Sequence, residues 1–249
     1  MTIAQAHRTA AKHHPRRIAL FGYAHVPDLR PHQRLVERAG PLPDATARAE
    51  LFALAAARLA DAGYLAIGID HFALPGDELA VAAATGQLHR NFQGYVAHRA
   101  TRLLACGPTG ISDSGTAYWQ NEADLAAWEA RVRAGELPVA RGVGLTADDR
   151  VRREVIMRLM CHAAVDFADI EERAAAGPCR GQPLRFEEYF AAELEQLESG
   201  ERSELARVDR AARRIEARPM GRLLLRNICR TFDAYHRGPG AGGRFSPTL

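Results

Sequence analysis

Apolar and polar positions change period several times along the chain. Residues 18–23, Ile-Ala-Leu-Phe-Gly-Tyr, are apolar throughout, the pattern of a buried strand. The run empties into Ala24-His25-Val26-Pro27 and then a basic segment, as a barrel strand does at an active-site rim. Residues 43–62 bring Leu51, Leu54 and Leu59 back at helical spacing, with Asp44 placed to cap and Gly63 to stop. Residues 64–70, YLAIGID, read as a second buried strand. Strand, long helix and strand make a β-α-β unit, which normally pairs its strands in parallel. Residues 76–86 predict a helix with Asp77 and Glu78 in its first turn.

FQGYVAH and TRLLACGPTGIS predict short strands around a tight loop containing Gly107, Pro108 and Gly110. Residues 121–134 predict an amphipathic helix, and ELPVARGVGL an extended segment. The rest reads as mostly helical. Thr146-Ala147-Asp148-Asp149 starts a helix that runs to about Cys161. Residues 186–197 form another, with Tyr189, Phe190 and Leu194 inward, and residues 220–235 the last, carrying Leu224, Leu225, Ile228 and Phe232. Ile3, Ala6 and Ala10 suit a short helix at the amino terminus, and GPGAGGRFSPTL a flexible tail.

Composition narrows the class. The 249 residues are 47% hydrophobic, which supports a sizeable core and excludes a disordered chain. A net charge of +3 from 33 basic and 30 acidic residues is too balanced to point to nucleic acid. No apolar run reaches the roughly 18–20 residues that span a bilayer, and the first residues lack a secretory apolar region. The cysteines, Cys106, Cys161, Cys179 and Cys229, form no C-x-x-C pair. A reducing cytoplasm is the expected setting.

Candidate chemistry is scattered. LHRNFQGY crowds amides, aromatics, a histidine and an arginine around Gly94, which suits a flat or anionic ligand; the alternative is a strand edge packed by Phe92 and Tyr95. On one strand Phe92 and Tyr95 face opposite sides, while Gln93 shares a face with Tyr95. Asp70-His71 invites a metal reading, but neighbours on a strand face opposite sides, so a strand ending in a turn is favoured. CGPTGISDSG could cradle a phosphate or a nucleoside. GRLLLRNICRTFDAY reads as a core helix with an Arg-rich exposed face, or less readily as a DNA-recognition helix. Nothing matches H-E-x-x-H, a P-loop or G-x-S-x-G.

ALFGYAHVP, QRLVE, GYLAIGIDHFALPGDELA, LHRNFQGY, GISDSG, AYWQN, RGVGLTADDRVRREVI and GRLLLRNICRTFDAY occur in one order from about residue 15 to residue 245. Together they resemble the oxygen-independent coproporphyrinogen III oxidase family of the radical S-adenosylmethionine superfamily. The resemblance implies an α/β fold: the late portion of an incomplete β/α barrel with extension strands over residues 1–140, then a mostly helical carboxy-terminal domain over residues 141–249. It implies oxidative decarboxylation of coproporphyrinogen III propionates to vinyl groups, giving protoporphyrinogen IX. S-adenosylmethionine and a [4Fe-4S] cluster are the implied cofactors, the cluster held by C-x-x-x-C-x-x-C. That motif occurs nowhere in this sequence, which matches only the carboxy-terminal half of the family. Its place would be before Met1, so no metal ligand is expected here, and a separately encoded amino-terminal half is an expected partner.

Ala24 and Ile111 match family positions lining the S-adenosylmethionine site. Arg90, Gln93 and Tyr95 are the candidate substrate contacts: Arg90 for a carboxylate, the other two for the macrocycle. The family's glycine-rich LLG-x-G is here Leu103-Leu104-Ala105-Cys106-Gly107, with Arg102 where an acid is usual. A Cβ at residue 105 is expected to crowd the nearby loop. The strand-turn wing expected before GRLLLRNIC looks eroded, as ERSELARVDRAARRIEARPM. Two readings stay open: an enzyme of haem biosynthesis that works only with the missing half, or a non-catalytic remnant that binds porphyrin or a partner protein. Neither needs nucleic acid or a membrane.

Overall fold

Asp44 caps the first long helix through its carboxylate, which accepts the Ala47 N–H at 2.8 Å. The computed structural model describes residues 14–100 and 102–237, so the expected amino-terminal helix and the tail lie outside the described residues. The described residues open with β1 (Arg17–Ala19), α1 (Arg34–Glu37), α2 (Ala45–Asp61), β2 (Leu65–Ile67) and β3 (His71–Ala73). β1 and β2 are parallel, as a β-α-β unit requires, but they do not pair. β3 lies between them, antiparallel to both, with Phe72 opposite Ile18 on one side and Ala66 on the other. The cause is the turn after β2: Gly68, at φ +64°, reverses the chain at once and folds β3 back into the vacant place.

The 18–23 run is not a buried strand. β1 ends at Ala19 and pairs on one side only, leaving Phe21 and Tyr23 exposed. On α2, Ala55 and Leu59 are buried while Leu51 and Leu54 are exposed. The apolar stripe of this region is thus wider than what the described residues cover.

α3 (Glu78–Ala84) is capped by Asp77, whose carboxylate also pairs with Arg17 at 2.9 Å and so ties the helix start to β1. A hairpin of β4 (His89–Asn91) and β5 (Gly94–Val96) follows. Next, β6 (Ile111–Asp113), β7 (Ala117–Asn121) and β8 (Val139–Gly144) form an antiparallel sheet, with α4 (Leu125–Arg133) between the last two strands. The helix expected over 121–134 starts later because Asn121 completes β7 and Asp124 caps. It buries none of its residues. The Cβ of Ala105 is accommodated, since the space it needs is left by Gly110, where a Cβ would lie 3.0 Å from it. Asn121 fastens that loop by donating to the Ala105 and Gly107 carbonyls.

α5 (Ala147–His162) begins with a reciprocal capping box between Thr146 and Asp149. It leads into β9 (Ala164–Asp166), α6 (Phe167–Ala176), α7 (Phe186–Tyr189), α8 (Ala191–Glu198), β10 (Ala206–Asp209), β11 (Arg214–Ala217), α9 (Pro219–Leu223) and α10 (Leu225–Cys229). The wing is present. β10, β11 and β9 form a three-stranded sheet, so this half is less purely helical than its sequence suggests. Ala206, Ile215 and Ala217 alternate inward among the arginines, and that period of two is the strand signal the charges mask. Residues 186–197 break at Phe190, which turns Tyr189 outward while Phe190 and Leu194 stay buried. The last helix breaks likewise at Leu224.

Phe167 stacks on Phe186 at 4.2 Å, and Phe190 meets Phe232 edge to face at 5.3 Å. These rings, with Val155, Leu159 and Ile228, form the main core. Arg152 crosses it from α5 to Glu193 at 2.9 Å and to the Phe232 carbonyl. Gly221 lets α9 pass directly over the residue that leads into β10: a Cβ there would fall 1.8 Å from the Leu205 carbonyl oxygen. We expect Gly221→Ala to lower unfolding stability by about 3 kcal/mol through overpacking. A urea midpoint equal to that of the parent would show that α9 does not sit so closely.

Candidate functional site

Three backbone features converge on one group of charged side chains. The Gly68 turn lifts Asp70 to the start of β3, the β4–β5 hairpin sets Arg90 opposite Tyr95, and α10 brings Arg226 from the other end of the sequence. Asp70 is buried and accepts from His71 Nδ1 at 2.6 Å. Its carboxylate lies 3.9 Å from Arg90 Nη1 and 3.6 Å from Arg226 Nη2. One carboxylate thus faces two guanidiniums. Arg90 Nη1 is buried without a hydrogen-bond partner, and the guanidinium sits 4.8 Å over the Tyr95 ring. Burial works to raise the Asp70 pKa, but the His71 hydrogen bond and the charges of Arg90, His71 and Arg226 outweigh it and leave the pKa lowered.

Tyr95 is core. Its hydroxyl accepts from the Ile69 N–H at 3.0 Å and donates to the Met160 carbonyl at 2.9 Å. It fills the space a Cβ on Gly68 would need, 2.0 Å away. Burial pushes its pKa up to about 12, so it stays a neutral donor.

The structure does not bring all five predicted residues together. Arg90 and Tyr95 pair across the hairpin. Gln93 does not share a strand face with Tyr95; it occupies the exposed two-residue turn, its N–H held by Asn91 Oδ1. Phe92, beside it, is 51% exposed and lies edge-on to Tyr118 at 5.2 Å. Ala24 lies in the exposed segment after β1, its carbonyl accepting from Gln33 Nε2 at 2.9 Å. Ile111 opens β6 opposite Gln120, in a different sheet. Three members of the Asp70 group, Asp70, His71 and Arg226, were not among the candidates. Asp70 and His71 were placed on opposite faces, yet Asp70 ends a turn, which frees its carboxylate to reach the neighbouring ring. Arg226 carries no local signal beyond the Arg-rich face of its helix.

A [4Fe-4S] cluster does not fit the cysteines present. Cys161 and Cys229 are buried and Cys106 is exposed. Burial pushes the Cys161 thiol up to about 12 and raises that of Cys229 too, so neither is poised as a thiolate ligand. Among the described residues no group of three or more His, Cys, Asp or Glu side chains could hold a metal ion, and no helix is long and apolar enough to cross a membrane.

No protein-family model matches the chain. It is 40% identical over 235 residues to the oxygen-independent coproporphyrinogen III oxidase of Salmonella typhimurium, covering 94% of this chain and 49% of that protein. With the Escherichia coli protein of the same name the identity is 38% over 242 residues, 97% of this chain and 50% of that one. The solved structure of the Escherichia coli coproporphyrinogen III oxidase, a radical SAM enzyme, superposes with a TM-score of 0.83 over 94% of this chain and 52% of its own. The chain therefore spans about half the length of these relatives.

Because the folded pKa of Asp70 lies below its unfolded value of about 3.9, the stability it contributes is present above that pH and lost as pH falls through the folded value. Urea midpoints measured from pH 6 to pH 2.5 should fall on acidification, and Asp70→Asn should make that fall shallower. Identical slopes would show that Asp70 is not held by His71 and the two arginines.

Proposed function

Since this chain is homologous, over about half of their length, to the oxygen-independent coproporphyrinogen III oxidases, we propose that it supplies one half of a catalytic unit of that kind. The unit would convert two propionates of coproporphyrinogen III to vinyl groups, giving protoporphyrinogen IX. The observation that carries this reading is the conjunction of about 40% identity with the absence of C-x-x-x-C-x-x-C from all 249 residues. The cluster ligands would come from a segment outside these residues, either continuous with the chain or separately encoded. When bound, cluster and S-adenosylmethionine supply the hydrogen-abstracting radical; this chain's side chains bind and orient.

The substrate presents four carboxylates around an apolar macrocycle, so it needs cations beside flat apolar surface. Arg90 and Arg226 share one carboxylate, Asp70, which leaves a positive charge for a propionate. The exposed ring of Phe92, with Gln93 beside it on the hairpin tip, offers the flat surface. Tyr95 supports Arg90 from below through its ring face. Ala24 and Ile111 would pack against S-adenosylmethionine. Phe21, Tyr23, Leu51, Leu54 and Leu65, all exposed, suit burial against the cluster-bearing segment.

Anaerobic treatment of the chain with iron and sulfide should yield no cluster, and no carbon dioxide should be released from coproporphyrinogen III. Adding the cluster-bearing half of a relative should restore both. About four irons per chain on the 249 residues alone would overturn the division of labour, because thiolate ligation is the requirement. Failure of the mixture, where the full-length relative is active, would favour the non-catalytic porphyrin-binding reading. In a porphyrin titration of the chain, Arg90→Ala or Arg226→Ala should weaken binding about ten- to a hundredfold, the loss of one charge-assisted contact of about 1.5–3 kcal/mol. Unchanged affinity in both variants would remove the pair from the site.

A further inference from the structure

Successive residues of β4 face opposite ways, so His89 points away from Arg90 and Asp70. It points into a cavity of about 360 Å³ between the base of the β4–β5 hairpin, α5 and α6. Small-molecule sites begin at about this size. The floor is apolar, made by Leu88, Ala97 and Met157. The rim carries three guanidiniums from three directions: Arg99 from the chain leaving β5, Arg158 from α5 and Arg173 from α6.

Those guanidiniums share two carboxylates. Arg99 reaches Glu154 at 2.6 Å, Arg158 reaches Asp169 at 2.8 Å, and Arg173 divides itself between Asp169 at 2.9 Å and Glu154 at 3.9 Å. The last distance is too long for a hydrogen bond, so Arg173 is the least committed donor. Three guanidiniums against two carboxylates leave one positive charge uncompensated, at the mouth of an apolar-floored cavity. A planar carboxylate is met fully by one guanidinium fork; three forks converging from different elements suit the tetrahedral oxygens of a phosphate. We propose that this cavity binds a small phosphate monoester, the phosphate at Arg99, Arg158 and Arg173 and the organic part on Met157 and Leu88. It does not depend on the function proposed above.

Calorimetric titration of the chain at fixed ionic strength tests the site, with phenyl phosphate, inorganic phosphate and benzoate as probes. Fixed salt matters because exposed charges are screened. Phenyl phosphate should bind at one site per chain, and inorganic phosphate and benzoate each at least tenfold more weakly, the first for want of the apolar floor, the second for want of the third fork. Arg173→Gln should weaken phenyl phosphate about tenfold or more. Arg99→Gln, at a half-exposed position, should do the same. Arg207→Gln, on β10 and outside the lining, should leave it unchanged. No saturable binding, equal binding of benzoate, or undiminished affinity in both the Arg173 and Arg99 variants would overturn the proposal.

Discussion

The Tyr95 hydroxyl is the contact on which the arrangement turns. It sits where Gly68 has no side chain, takes the Ile69 N–H from the β2–β3 turn and gives its proton to the Met160 carbonyl on α5. Three pieces far apart in sequence are fixed by one oxygen. A buried hydroxyl with both roles satisfied stabilises modestly, but either backbone group left alone would cost about 1–3 kcal/mol. The same ring carries the Arg90 guanidinium and lies 5.2 Å, edge to face, from His71. The charged group around Asp70 is therefore built on a residue that itself belongs to the core.

α5 extends this logic. Its inner side holds Val151, Val155 and Leu159 in the larger core, while Met157 and Cys161 pack with Tyr95, Leu79 and Ile67 in the smaller one. Its polar positions reach outward to separate elements: Arg152 to Glu193, Arg153 to Asp113, Glu154 to Arg99 and Arg158 to Asp169. One helix thus sets the distance between the hairpin carrying Arg90 and the helix carrying Arg226. Before residue 66 only a small cluster of its own forms, Leu59 and Tyr64 on Phe72, and Phe21, Tyr23, Leu51, Leu54 and Leu65 stay in solvent.

How much of this was legible depended on the range of the interaction. Caps are local, so the Asp44 cap and the helix start at Thr146 were readable from spacing alone, while Asp77, read into the first turn, is itself the cap. Strand pairing is not local. The apolar run at residues 18–23 carries the pattern of a buried strand, but burial needs neighbours, and β1 has one. The wing was hidden because arginines on its outer face dominate the composition, while Ala206, Ile215 and Ala217 keep the period of two beneath. Arg226 and Asp70 lie more than 150 residues apart and meet only through the packing of α10 on α5. No sequence pattern marks that meeting. The order of motifs was far more informative about the family than any single residue was about the site.

The central claim is that Tyr95 makes the β2–β3 turn open together with α5 rather than by itself. Amide hydrogen exchange reads this directly, because it separates local from cooperative opening. In the parent chain the Ile69 amide should exchange as slowly as the Val155 amide. In Tyr95→Phe, Ile69 should exchange at least tenfold faster while Val155 keeps its protection. A fast Ile69 amide in the parent, or an unchanged one in Tyr95→Phe, would contradict the account.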